Sequence, residues 1–331
     1  MFLDFFRNFF SKEEDSMIPK NPGLIESPLD YRDIPLEKIQ ELKGTSIEIP
    51  EEYNVPYRFP ITRQDGPHCV GHSARVIKEE KEKREQNYDV QFDPVWLYNE
   101  CKKIDGRPDL KGTYFRSVFK VLQKKGAKPI NGNDFAKYRI GGYASLKRIT
   151  INDIKEAIYC NGVLLAGFKG SYNGWSNSLK GHIRPPRAGE STWGHATALI
   201  GYNGDYIIGQ NSWGDSWGDG GYFYFNENYF PFSVWSILVD LPNNWRELIG
   251  LPTKPSFQFN QNLYFGLKGT DVVELQDALK WEGCFPTDVP STGYFGNITL
   301  ESVKRFQEKY NIEPVLGYVG PLTRSKLNQL F

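Results

Sequence analysis

Cysteine is scarce in this chain of 331 residues: Cys69, Cys101, Cys160 and Cys284, with no CxxC and no Cys/His spacing of a zinc site. That makes a disulfide framework a poor reading and a single reactive thiol a better one. An excess of charge of either sign is also missing, since 40 Lys and Arg stand against 40 Asp and Glu. No field therefore favours nucleic acid or anionic lipid. No run is long and apolar enough to span a bilayer. The start, MFLDFFRNFFSKEED, is apolar but broken by Asp4 and Arg7, a poor signal peptide. Residues 1–10 read as a short amphipathic contact with a membrane or partner, or as a cap on an apolar patch of their own domain. No metal ion and no organic cofactor is implied.

What is present is concentrated in WGHATALIGYNGDYIIGQNSWGDSWGDGGYFYF, residues 193–225. Ala196–Tyr202 is short, apolar and β-rich, Asn203-Gly204 is a strong hairpin signal, and Tyr206–Gln210 returns antiparallel. The hairpin sets His195, just before the first strand, beside Asn211, just after the second. An imidazole next to an amide that can orient it is half of a nucleophilic site. The other half lies upstream: Cys69, in GPHCVGHSARVIKEE, opens a helix with Val70, Ala74 and Ile77 at helical spacing. The charged run from Lys78 to Glu85 reads as a solvated face of that helix. His68, His72 and His182 have no comparable context and read as ordinary residues, and Cys101, Cys160 and Cys284 as packing residues. Helices are also expected at Pro94, at YFRSVFKVLQKKG and at Ile151–Cys160, with strands later. Residues 171–191, rich in Gly, Ser and Pro, read as a loop bordering the groove.

The His-Ala run, the Asn211-Ser212-Trp213-Gly214 tetrad, the following Trp217-Gly218 and Gly221-Tyr222-Phe223 resemble the papain family of cysteine peptidases. The resemblance implies an α+β fold: a papain-like two-lobed domain with a helical lobe and an antiparallel, barrel-like β lobe. It implies Cys69 as nucleophile, His195 as acid and base, Asn211 as orienter and Trp213 as a cover over the His–Asn bond. A helix N-terminus and a neighbouring imidazolium would lower the thiol pKa to roughly 3.5–7.5. Gln64 is the candidate side-chain donor to the oxyanion, although Gln64 to Cys69 is five positions where the family has six. The family's usual second cysteine, three residues before the nucleophile, is here Gly66, and its long helical prosegment is not visible.

Three prolines and little periodicity mark residues 242–261 as linker-like. Beyond them, Gly293-Tyr294-Phe295-Gly296-Asn297-Ile298-Thr299 is echoed by Gly317-Tyr318-Val319-Gly320-Pro321-Leu322-Thr323. Each Thr is placed to cap a helix, and DVVELQDALKWEG supplies a third helix. This pattern, with Leu275-Gln276 and Phe306-Gln307, resembles the peptidoglycan-binding-like domain, a small three-helix targeting module. The divisions are thus an N-terminal extension (1–46), a papain-like domain (47–242), a linker (243–255) and the peptidoglycan-binding-like domain (256–331). The leading expectation is a cysteine peptidase that cuts polypeptides through a thioester acyl-enzyme. Two alternatives stand beside it: a phage or bacterial hydrolase of cell-wall peptides, and an inactive binding or virion protein on a peptidase fold. The missing export signal points to the cytoplasm or to a phage particle, with action at the wall.

Overall fold

The computed structural model describes residues 19, 22–28, 30–42, 48–240, 248, 250 and 254–331. The contact of residues 1–10 with a membrane or partner lies outside the described residues. The chain divides into two compact units, one of residues 1–27 and 35–241, the other of 28–34 and 242–331. Among the described residues no helix is long and apolar enough to cross a membrane.

In the first unit the helices come early and the strands late. Cys69–Gln86 is the longest helix; Asn87 closes it in the left-handed region, its N–H donating to the Glu82 carbonyl. Pro94–Lys102 begins with proline, whose missing N–H costs nothing at that position. It is capped by Asp93, which accepts from the N–H groups of Val95 and Trp96 at 3.0 and 2.9 Å. Phe115–Lys124 and Ile151–Asn161 follow; Thr150 caps the latter by accepting from Asp153 N.

The strands form an antiparallel sheet in the order Gly142–Ser145, Ser233–Leu238, Leu164–Ser171, Thr192–Asn203, Tyr206–Gln210, Tyr222–Phe225, with Glu52–Asn54 added on Thr192–Asn203. The long strand Thr192–Asn203 pairs with Leu164–Ser171 over eight residues, from Leu164↔Leu199 to Ser171↔Thr192. Its apolar Ala196, Ala198 and Ile200 share one core with Val70, Ala74 and Ile77 of the first helix. That packing brings the helix N-terminus to the start of the strand.

The charged run on the first helix is solvated only at its end, at Arg84 and Glu85, and not along Lys78–Glu82. Lys78 and Glu80 are 0% exposed, and Glu79, Lys81 and Glu82 are also buried. That part of the helix lies inside the domain, and most of its charges are paired or bonded there, with Glu80 3.7 Å from Arg84. Lys78 pairs with Glu82, Arg75 with Glu79 at 3.5 Å, Glu79 accepts from Phe92 N, and Lys81 donates to the Asn161 carbonyl. Sequence alternation alone could not distinguish a ladder of buried ion pairs from a wet surface.

The helices Thr270–Trp281, Asn297–Lys309 and Pro321–Leu330 of the second unit pack around Phe259, Leu263, Leu275, Phe295, Phe306 and Leu327. Its internal repeat has a physical basis in two buried glutamines. Gln276 Nε2 donates to the Tyr294 carbonyl and to Thr299 Oγ1, while Gly293 N–H donates to its Oε1. Gln307 makes the same bonds to Tyr318, Thr323 and Gly317. Each amide knots a Gly-Tyr turn to the start of the next helix. Thr299 and Thr323 are therefore not caps: the helices begin two residues earlier, and each Thr is buried as the glutamine's acceptor.

Candidate active site

The four residues with proposed chemistry meet at one place. Cys69 is the first residue of its helix and fully buried. Its Sγ accepts from the N–H of Ala196, the residue after His195, at 3.4 Å. His195 sits inside the strand Thr192–Asn203 rather than before it, because the strand starts earlier than its apolar run indicates. The hairpin turn is Gly204-Asp205, one residue later than expected, with Asn203 paired to Tyr206 and Gly204 at φ 52°. Asn211 directly follows the returning strand.

Hydrogen bonding fixes the protons. Asn211 Oδ1 accepts from Ser212 N–H at 2.8 Å, and a backbone N–H can only donate, so this atom is the amide oxygen. His195 Nε2, 2.7 Å from the same oxygen, therefore carries the hydrogen. The other ring nitrogen, Nδ1, is left with a free lone pair, buried and without a hydrogen-bond partner. The ring stacks on Trp213 at 4.6 Å between centroids, with Trp175 and Trp193 edge-on at 5.3 and 5.9 Å. Water is kept from the His–Asn bond, which strengthens it.

Gln64 is buried against the same loop. Its N–H donates to the Ser212 carbonyl at 2.8 Å, and Ser212 Oγ donates to its Oε1 at 2.7 Å. The amide nitrogen is thereby turned the other way, donating to the carbonyls of Gly66 (2.6 Å) and Pro22 (3.0 Å). The bends at residues 65–67 take up the shortened spacing to Cys69.

The cleft is occupied by the chain's own residues 22–25. The Pro22 carbonyl accepts both from Gln64 Nε2 and from the Cys69 N–H, the latter at 3.3 Å. Thr113 N–H donates to the Gly23 carbonyl at 2.8 Å, and Leu24 and Ile25 pair in parallel with Thr113 and Tyr114. Burial in this filled cleft pushes the Cys69 thiol up to about 12 and the His195 imidazole down to about 4, despite the Asn211 bond that opposes the latter shift. Both groups are neutral between those values. The low thiol pKa expected from the helix end is not reached in this state, because burial outweighs the backbone N–H groups of Ala196, Val70 and Cys69 that favour the thiolate.

Several contributors had no sequence signal of their own. Trp175 lies within the stretch expected to be a bordering loop, yet it is fully buried against His195, Trp193, Trp213 and Trp217. Ser212 was read only as part of a tetrad. Residues 22–25 were assigned to an extension. Of the other histidines, His182 is exposed, while His68 lies 3.3 Å from Asp65 and against Tyr98. All four cysteines are free thiols; Cys101 and Cys284 are buried, Cys160 half-buried.

His72, one turn beyond Cys69, is buried with Nδ1 2.7 Å from Thr62 Oγ1, and burial lowers its pKa to about 3. A histidine that folds neutral takes up a proton more readily when unfolded, so its contribution is present above the unfolded pKa and lost as pH falls below 6.5. At pH 5 that loss is about 2 kcal/mol for this ring. Glu79, raised to about 7 by burial, acts in the opposite sense and masks part of the effect in the whole protein. The comparison with His72→Gln isolates it: the change in unfolding free energy between pH 7 and pH 5, from denaturant titrations, should differ by about that amount between parent and variant. An unchanged pH dependence would show that His72 is protonated in the fold.

A thiol at a helix N-terminus, an imidazole held by an amide and two N–H donors on one carbonyl define a papain-like cysteine peptidase architecture. Comparison with known proteins agrees. The family model for papain family cysteine proteases matches residues 100–232, and the model described as putative peptidoglycan binding domain matches residues 268–327. Xylellain, a cysteine protease from Xylella fastidiosa, is similar with a TM-score of 0.57 at 19% identity, covering 67% of this chain and 98% of its own. Procathepsin L2 proteinase from the larval midgut of Tenebrio molitor gives 0.53 at 17%, covering 68% and 80%. A cysteine protease of Blomia tropicalis is 31% identical over 103 residues, 30% of this chain and 31% of that protein. A spore cortex-lytic enzyme of Bacillus cereus is 40% identical over 68 residues, 20% of this chain and 25% of that protein. The chain thus spans about a third and a quarter of the length of these two curated relatives.

Proposed function

We propose that the chain is a cysteine-type peptidase that hydrolyses peptide bonds through Cys69, His195 and Asn211, and that residues 256–331 direct it to peptidoglycan. The observation that supports the chemistry most directly is the Pro22 carbonyl, which accepts from Cys69 N–H and Gln64 Nε2 together. A substrate carbonyl seated there lies beside Sγ with two donors ready for the charge that develops on its oxygen.

The thiol proton passes to His195 Nδ1, whose lone pair is free because Nε2–H is committed to Asn211. Sulfur adds to the carbonyl carbon, and the negative oxygen is held by the two donors. His195 then gives its proton to the amine as the C–N bond breaks, leaving a thioester on Cys69. Water, deprotonated by the same ring, displaces the sulfur and releases the acid. Asn211 keeps the tautomer throughout, and Trp213 keeps water from the bond that does so. None of this runs while residues 22–25 fill the cleft, so the structure corresponds to a latent form.

The cell-wall direction is supported by residues 268–327 and by the spore cortex-lytic relative, which shares a segment of this kind of length. An inactive scaffold is the less favoured reading, because two N–H donors converge on the Pro22 carbonyl and an amide holds the imidazole. An irreversible thiol-directed peptide reagent decides between them. It is expected to modify Cys69 ahead of Cys101, Cys160 and Cys284 and to abolish peptide hydrolysis with one-to-one stoichiometry. Indiscriminate modification without loss of any hydrolytic activity would leave only a binding protein.

A further inference from the structure

A cavity of about 730 Å³ runs along Trp193 and Gly194, the residues just before His195, and the cations on its walls outnumber the acids. Lys111 and Lys169 both line it, together with Tyr172, Trp193 and Phe232. The only acid on its lining is Glu26, the residue that follows the segment 22–25.

The two lysines come from opposite banks. Lys111 stands two residues before Thr113, whose N–H holds the Gly23 carbonyl, at the edge where Leu24 pairs. Lys169 lies on the strand Leu164–Ser171, opposite Gly194, the neighbour of His195. Phe168 beside it points into the core; Lys169 is the exposed member of that strand, so its side chain leaves the sheet toward the groove. Neither lysine has an ion-pair partner among the described residues, whereas Glu190, next to the lining residue Ser191, is already taken by Arg184 at 2.7 Å and by Ser171 at 2.6 Å. Two unpaired cations sharing one concave space raise the local potential for an anion and disfavour a cation.

We propose that Lys111 and Lys169 set the substrate preference of this groove, selecting peptides with a carboxylate side chain near the scissile bond. The inference rests on the peptidase reading above and adds the substrate class to it. In the latent form Glu26 lines the same cavity without pairing with either lysine. In the active form an acidic side chain of the substrate replaces it.

The test uses the full chain and short fluorogenic peptides carrying Glu, Gln or Lys at each position in turn. Residues 22–25 compete equally with every peptide, so ratios of kcat/KM are independent of how often the cleft is open. At one position Glu should exceed Gln by on the order of tenfold, the combined effect of two solvent-facing pairs, and Lys should be the poorest. The preference should shrink as salt is raised to about 0.5 M. The double variant Lys111→Glu, Lys169→Glu should invert it in favour of Lys, and because both side chains are exposed it should fold as the parent does. Equal rates for all three residues, or a preference that survives the charge reversal, overturn the proposal while leaving the peptidase reading intact. Failure to cut any peptide, also when Gly23→Val is introduced to free the cleft, overturns both.

Discussion

Gly23→Val is expected to raise peptide hydrolysis by at least about tenfold and to make Cys69 alkylate faster at neutral pH. Gly23 has φ 109°, which a β-branched residue adopts only under strain. A Cβ there would also lie 2.0 Å from the Pro67 carbonyl oxygen, which belongs to rigid backbone. Residues 22–25 could no longer lie down as they do, and the carbonyl on Gln64 and Cys69 would leave with them. If occlusion holds only a small fraction of molecules open, a conflict worth 1.4 kcal/mol or more lifts that fraction tenfold. The alkylation rate reports the second consequence. An uncovered thiol regains water, the desolvation that holds it at about 12 falls away, and the helix N-terminus then favours thiolate. The pH midpoint of alkylation should move down with the gain in activity. Leu24 belongs to the domain core, so thermal unfolding is measured alongside. Unchanged activity in a variant that folds normally would mean that the segment is no obstacle.

The residues of the hairpin and its flanks were legible because their chemistry and their turn signal are local. His195 and Asn211 lie sixteen positions apart, and one antiparallel register brings them together. The helix opened by Cys69 was legible for the same reason, through the spacing of Val70, Ala74 and Ile77. What escaped depends on contacts between distant segments. The burial of Lys78 and Glu80 follows from where the helix sits, which its own alternation of charge does not encode. Trp175 looked like loop because its neighbours are Gly, Ser and Asn, yet a single large ring was enough to seat that loop in the core. Pro22–Ile25 carries no periodicity at all; its place is set by an edge at Thr113 and by Gly112 and Gly194, which leave no room for a side chain beside the Gly23 and Leu24 carbonyl oxygens.

Gln64→Ala is expected to lower kcat by about a hundred- to a thousandfold with little change in KM, the range found when one of two oxyanion donors is removed. The shortened spacing to Cys69 made this role uncertain from sequence, and the hydrogen bonds around the amide give the reason to expect it. Oε1 is claimed by Ser212 Oγ at 2.7 Å, so the amide has only one orientation that leaves no buried group unpaired. In that orientation Nε2 faces the carbonyl at the thiol. Gln64→Glu keeps the shape but offers an acceptor where a donor is needed, and its defect should be at least as large. Ser212→Ala should fall between the parent and Gln64→Ala, because the donor survives but its orientation is no longer enforced. The split between kcat and KM carries the argument: a donor that acts on developing charge strengthens its bond in the transition state, so its loss appears in kcat. A Gln64→Ala enzyme with kcat near the parent's and only KM raised would make the glutamine a ground-state contact, and the helix N–H of Cys69 would then carry the oxyanion without it.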